Sequence, residues 1–111
     1  MNIYDQTVQL HAITGNSVLS QKLSPEGTGY YCRERTVGLQ RFFTALQVGD
    51  RIDAVLEIPG RELISPAGSV AVWCGRQYRL VQVQHAQDDD GLDVTVLSLS
   101  RLEADYELDT L

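Results

Sequence analysis

Lysine is nearly missing from this chain. Lys22 stands alone, and the other eight basic residues are arginines. Against fifteen acids they leave a net charge of −6. That balance argues against a general nucleic-acid binder, which needs clustered cations to displace counterions from phosphates. No apolar run approaches the roughly 20 residues a helix needs to cross a bilayer. Residues 1–5, Met1-Asn2-Ile3-Tyr4-Asp5, carry neither a charged nor an apolar leader region, so they do not read as a signal peptide and the expectation is folding in the cytoplasm. Cysteine is scarce too. Cys32 and Cys74 show no CxxC or Cys/His ligand spacing, and both fall in strand-like runs, so both are expected to be buried free thiols.

Catalytic and ligand motifs are equally thin. His11 and His85 lie on separate predicted strands with no neighbouring nucleophile pattern, and they read as partly exposed strand histidines. Gly60 and Gly68 are too far apart for a phosphate-cradling loop, and neither opens a helix. Asp88-Asp89-Asp90-Gly91 lacks the closing bidentate glutamate of a calcium loop. It reads as a solvated hairpin turn, since Asp and Gly suit positive φ. Glu34, Asp53 and Glu57 read as solvent-facing strand charges. No metal or cofactor is implied, and an enzyme is the least favoured reading.

What is present is an ordinary globular balance, with 43 % hydrophobic and 22 % charged residues in a chain of 111. That is one domain, residues 1–111, with little surplus core, and oligomerisation is a natural way to bury more apolar surface. The charge is unevenly spread. Arg33, Arg35, Arg41, Arg51, Arg61, Arg76 and Arg79 occupy the middle. From residue 85 onward there are eight acids (Asp88, Asp89, Asp90, Asp93, Glu103, Asp105, Glu107, Asp109) and one base, Arg101. The split predicts one basic and one acidic face. Residues 103–111 form an acidic tail that is expected to be mobile.

Short alternating segments separated by Gly, Pro, Ser and Asp clusters predict a mainly β protein, a small β-barrel of about six strands with one short helix between early strands. Residues 7–13 read as the first strand, with Val8, Leu10 and Ala12 on one face and Gln9 and His11 on the other. Residues 14–28 read as a long loop, because they hold Gly15, Pro25 and Gly27. Strands follow at 29–36, 51–58, 70–74, 77–86 and 92–102. Gly75-Arg76 reads as a tight hairpin connection, with Trp73 and Tyr78 as a cross-strand aromatic pair. In the last strand the apolar phase slips from Val94 and Val96 to Leu97 and Leu99, which means burial on both faces or a bulge.

Between the second and third strands the period changes. Leu39, Phe42, Phe43 and Leu46 recur at i, i+3, i+4 and i+7, on one helical face, with Thr36 as N-cap and Gly49 as stop. Such a helix is too short to stand alone, so its stripe must pack on the sheet or on a neighbouring subunit. Phe42 and Phe43 read first as core and second as partner anchors.

Three stretches in this order resemble the phage head-closure proteins of the head–tail joining class. The first is Tyr30-Tyr31-Cys32-Arg33-Glu34-Arg35-Thr36-Val37-Gly38 followed by Arg41-Phe42-Phe43-Thr44-Ala45. The second is the strand over residues 52–58. The third runs from Ala71 through Trp73-Cys74-Gly75-Arg76-Gln77-Tyr78 to Val83 and ends in the strand at 92–99. Arg41 stands where that family commonly has an acid, and Cys74 where its turn often has Asn. The resemblance implies a structural protein of the virion neck, assembled in the host cytoplasm. It implies a ring of about six or twelve copies beneath the portal or its adaptor, presenting a docking surface to tail proteins. Packaged DNA would be touched only non-specifically in the channel, and no membrane is involved. The segment that reaches toward the channel in that family corresponds to residues 36–50. The candidate channel or interface residues are therefore Leu39, Arg41, Phe42, Phe43, Leu46 and Arg51. A tail-terminator or tail-completion ring, and a monomeric SH3-like or OB-like binding module, are the alternatives. A nucleic-acid-binding OB module would need a basic groove with stacked aromatics.

Overall fold

The computed structural model describes residues 3–14, 21–35 and 51–107. The helix expected over 36–50, with Leu39, Arg41, Phe42, Phe43 and Leu46, lies outside the described residues, and no helix occurs among them. The described residues form six strands: β1 (Gln6–Thr14), β2 (Lys22–Arg35), β3 (Ala54–Pro59), β4 (Ser69–Trp73), β5 (Arg76–Gln87) and β6 (Asp93–Arg101). Every pairing is antiparallel, and the single sheet closes on itself in the order β1-β2-β3-β6-β5-β4. Two three-stranded meanders are thus joined at two seams, β3 with β6 and β4 with β1.

Strand alternation builds the interior. Val8 and Leu10 of β1, Cys32 of β2, Ala54, Leu56 and Ile58 of β3, Ala71 and Trp73 of β4, Tyr78 and Leu80 of β5, and Leu97 and Leu99 of β6 form one buried cluster. A fully buried Leu or Ile of this kind contributes about 1.5–3 kcal/mol relative to exposure. Trp73 and Tyr78 stack at an angle, their centroids 5.9 Å apart and their planes 52° from parallel. They meet diagonally, because Tyr78 lies opposite Ala71 in the register.

The phase slip in the last strand resolves as burial on both faces. Val94 through Leu99 of β6 are all buried, and so are Ala54 through Ile58 of β3. The outward residues Val55, Val94 and Val96 join Ile52 in a second cluster. The bulge lies in the neighbouring strand, between Leu80 and Gln82 of β5.

All the strand ends are shifted by a residue or more from the sequence expectation, and β3 begins at Ala54 rather than 51; two of the departures have a local cause. β2 begins at Lys22, so residues 22–28, expected as loop, are strand. Pro25 is accommodated because the β1–β2 register is irregular there: His11 pairs with Gly27 and Ile13 with Leu23, which leaves three β2 residues opposite one of β1. The β4–β5 hairpin turns at Cys74-Gly75, one residue earlier than expected, and Trp73 pairs with Arg76. Both turn residues have positive φ, 52° at Cys74 and 73° at Gly75, as a two-residue primed turn requires. Cys74 is therefore exposed, against the expectation of burial, whereas Cys32 is fully buried. Burial, with the Cys74 and Asp5 charges adding to it, pushes the Cys32 thiol up to about 11.

The first part of the acidic tail is tied to the sheet. The Gln77 side-chain amide both accepts from the Tyr106 N–H and donates to the Tyr106 carbonyl, each at 2.8 Å. The N–H of Leu23 donates to the Glu107 carbonyl at 2.8 Å.

Candidate functional site

Six of the described arginines fall in three places in the fold. Arg51, Arg79 and Arg101 converge on a groove of about 370 Å³, completed by Asp53, Ser100, Leu102 and Glu103. Arg51, the one described residue of the sequence-based candidate set, lines this groove. Its Nε donates to Asp53 Oδ1 at 2.7 Å, and Asp53 Oδ2 accepts from the Arg101 N–H at 2.7 Å. Asp53 is thus a half-buried anchor that holds the start of β3 against the end of β6. Arg79 enters the groove from β5, directly across the ladder from Ser100.

The opposite end of the same three strands has the opposite sign. A pocket of about 430 Å³ is lined by Tyr4, Pro59, Gly60, Arg61, Asp88, Asp90, Leu92 and Asp93. The register fixes the polarity. The end of β3, the end of β5 and the start of β6 meet here, since Pro59 pairs with Val94 and Gln87 with Asp93. At the groove, the start of β3, the start of β5 and the end of β6 meet, since Ala54 pairs with Leu99 and Tyr78 with Arg101. The nine residues of β6 separate the two ends by roughly 26 Å at about 3.3 Å per residue.

Residues 88–91 adopt the expected turn. Asp88 Oδ1 accepts from the N–H groups of Asp90 and Leu92, both at 2.9 Å, and Gly91 sits at φ 79°. Asp89 and Asp90 face solvent. Among the described residues no group of three or more His, Cys, Asp or Glu side chains is arranged to hold a metal ion.

The third destination is Glu57. It was expected to face solvent, yet it is 1 % exposed on the outward side of β3. Arg33 Nε donates to Oε2 at 2.7 Å, Arg33 Nη2 to Oε1 at 3.2 Å, and the Tyr4 hydroxyl to Oε2 at 2.7 Å. Arg35 Nη1 lies 3.4 Å from Oε1. Burial by itself raises the pKa of this carboxyl. The hydrogen bonds from Arg33 and Tyr4, with the charges of Arg33 and Arg35, outweigh that effect and hold it below the usual carboxylate range. The same contacts raise the Arg33 guanidinium, chiefly through its hydrogen bond to Glu57. Tyr4 is raised by burial first and by the carboxylate second. Two sequence signals bear on this clamp: Arg33 and Arg35 share one face of β2 at i, i+2, and Val55, Val94 and Val96 make the outward faces of β3 and β6 apolar.

The histidines do not meet. His11 is 6 % exposed, where partial exposure was expected, and its Nδ1 donates to the Ser24 carbonyl at 2.8 Å. His85 is exposed, with Nε2 donating to the Glu62 carbonyl at 2.7 Å. Each ring is held by a backbone carbonyl, and His11 Nε2 also lies 3.3 Å from the Gln9 side-chain Oε1. No protein-family model matches this chain, and no curated protein matches it.

Proposed function

We propose that this chain is a structural subunit of a phage neck, forming an oligomeric ring between portal or adaptor and tail that closes the DNA-filled head and docks the tail. The closed sheet is then read as a small β-barrel, with residues 36–50 as its helical excursion toward the channel or a neighbouring subunit. The observation that carries this reading is the order of the resembling stretches along the fold. The Tyr30 to Arg35 stretch is the second half of β2 and leads directly into residues 36–50. The stretch 71–83 forms the β4–β5 hairpin, and β6 closes the sheet between β3 and β5. The unlike charge at the two ends of β6 supports a subunit with two different contact surfaces, as a ring requires. A net charge of −6 suits a wall along which DNA slides rather than binds.

The test is binding of the purified protein to DNA-filled heads that lack tails. Stable addition of a ring to the portal vertex, followed by retention of DNA and gain of tail docking, is the expected result. Absence of any binding to such heads, with the protein monomeric throughout, rejects the reading in favour of a monomeric binding module. Binding to isolated tails instead of heads points to a tail-terminator or tail-completion ring.

A further inference from the structure

We propose that copies of this chain join head to tail, the 88–93 turn of one copy seated in the Arg51, Arg79 and Arg101 groove of the next. This deepens the ring reading above and rests on it for its biological setting, but its physical basis is independent. Among the described residues the groove presents three arginines against two acids, Asp53 and Glu103. The pocket at the far end of β6 presents three aspartates against one arginine, Arg61. In a chain of net charge −6, an excess of positive charge at one end is a local exception.

Each surface also carries a leucine among its charges. The turn projects from the β5–β6 hairpin, with Asp88 Oδ1 fixing its backbone through two N–H groups, so it is preorganised. Leu92 stands 64 % exposed at its base and lines the pocket there. Leu102, half-buried, lines the groove. An apolar centre within a charged rim is the usual anatomy of a protein interface. Nucleic acid is the wrong occupant for the groove, because Asp53 and Glu103 within it and the overall negative charge repel phosphates. The two surfaces differ from each other, so the contact is heterologous: it builds a ring where the rotation between successive copies closes and an open filament where it does not.

The experiment is sedimentation equilibrium of the full chain, with two charge-reversed variants. One carries Asp90→Lys and Asp93→Lys, the other Arg79→Glu and Arg101→Glu. Folding of each is checked by Trp73 fluorescence. The expected result is a wild-type mass that rises with concentration in about 20 mM salt and falls back toward the monomer in about 500 mM, where screening shortens to a few ångströms. Each variant alone associates at least about tenfold more weakly, because like charges now face each other. An equimolar mixture regains association, since each reversed end meets a matching partner. A wild type that stays monomeric at about 1 mM in low salt overturns the proposal. So do variants that associate like wild type, or a mixture that fails to recover. The ring reading fails separately. Swap-rescued association without binding to DNA-filled heads removes the neck role and keeps the contact. Head binding by both variants, unaltered, does the reverse.

Discussion

His11 and Gly27 lie directly opposite each other across the β1–β2 ladder, and the imidazole fills the space in which any larger residue at 27 would set its Cβ. A Cβ built on Gly27 stands 2.7 Å from His11 Nε2. The ring has little freedom to yield, because Nδ1 is held by the Ser24 carbonyl. Gly27→Ala is therefore expected to cost about 1–3 kcal/mol, as overpacking does. In a His11→Ala background the same substitution should cost almost nothing. Urea unfolding of the four proteins in this cycle measures the difference, and an unchanged penalty would disprove the steric account.

The β4–β5 turn leads to the opposite sign of change. Cys74 holds φ at 52°, a conformation in which Asn is far better tolerated than Cys. Cys74→Asn should stabilise the protein by about 0.5–1 kcal/mol. It also removes the exposed thiol. Gly75→Ala, at φ 73°, should destabilise by about 1 kcal/mol. Thermal melts under reducing conditions would show both shifts.

The Glu57 clamp makes stability depend on pH and on which partner is removed. Arg33→Met leaves a buried carboxylate without its main donor and should cost about 2–3 kcal/mol, somewhat reduced because Arg33 is partly exposed. Arg35→Met, at 3.4 Å and with a side chain 42 % exposed, should cost less than about 1 kcal/mol. The Glu57 carboxyl is held below its unfolded value. Its contribution is therefore complete above an unfolded pKa of about 4.3 and vanishes as pH falls through the lower folded value. Glu57→Gln should lower stability at pH 7 and flatten the acid limb of the stability–pH curve. An acid limb as steep as the wild type's would show that the clamp is not its source.

Ser98 sits opposite Val55 on the outward side of β6, and its Oγ is buried without a hydrogen-bond partner. Ser98→Ala removes an unsatisfied hydroxyl and should leave stability unchanged or raise it by up to about 1 kcal/mol. A clear loss on chemical denaturation would mean that the hydroxyl is satisfied in solution.

Much of the sheet could be read directly from the sequence. Alternation located β1, β3 and β5 within a few residues, because Val8 and Leu10, Leu56 and Ile58, and Tyr78 and Leu80 each obey a period of two. The start of β2 was hidden by Pro25 and Gly27, which locally signal a loop. Their role appears only when the irregular register with β1 and the imidazole of His11 are in place. Glu57 was misread because a charge on a strand's outer phase normally faces water. Its burial depends on Arg33, which is 24 residues away in the chain, and no local pattern encodes that distance. Among the sequence-based site residues, Arg51 reaches a charged groove, but its companions there, Arg79 and Arg101, come from β5 and β6. The strand order that brings them together is non-local, and a single sequence does not display it.

The order β1-β2-β3-β6-β5-β4 divides the molecule at the β3–β4 loop into two ribbons of three consecutive strands. Six residue pairs stitch one margin and five the other. Neither ribbon encloses anything alone. Leu56 needs Leu97 across the first seam, and Val8 needs Trp73 across the second. A single backbone cut in the exposed stretch 65–68 removes no ladder pair, so the nicked protein should stay intact. The separated fragments should each be unstructured and sticky along two bare margins. Mixed, they should reconstitute the whole, which makes this loop the natural place to split the chain into a two-part reporter of its own assembly.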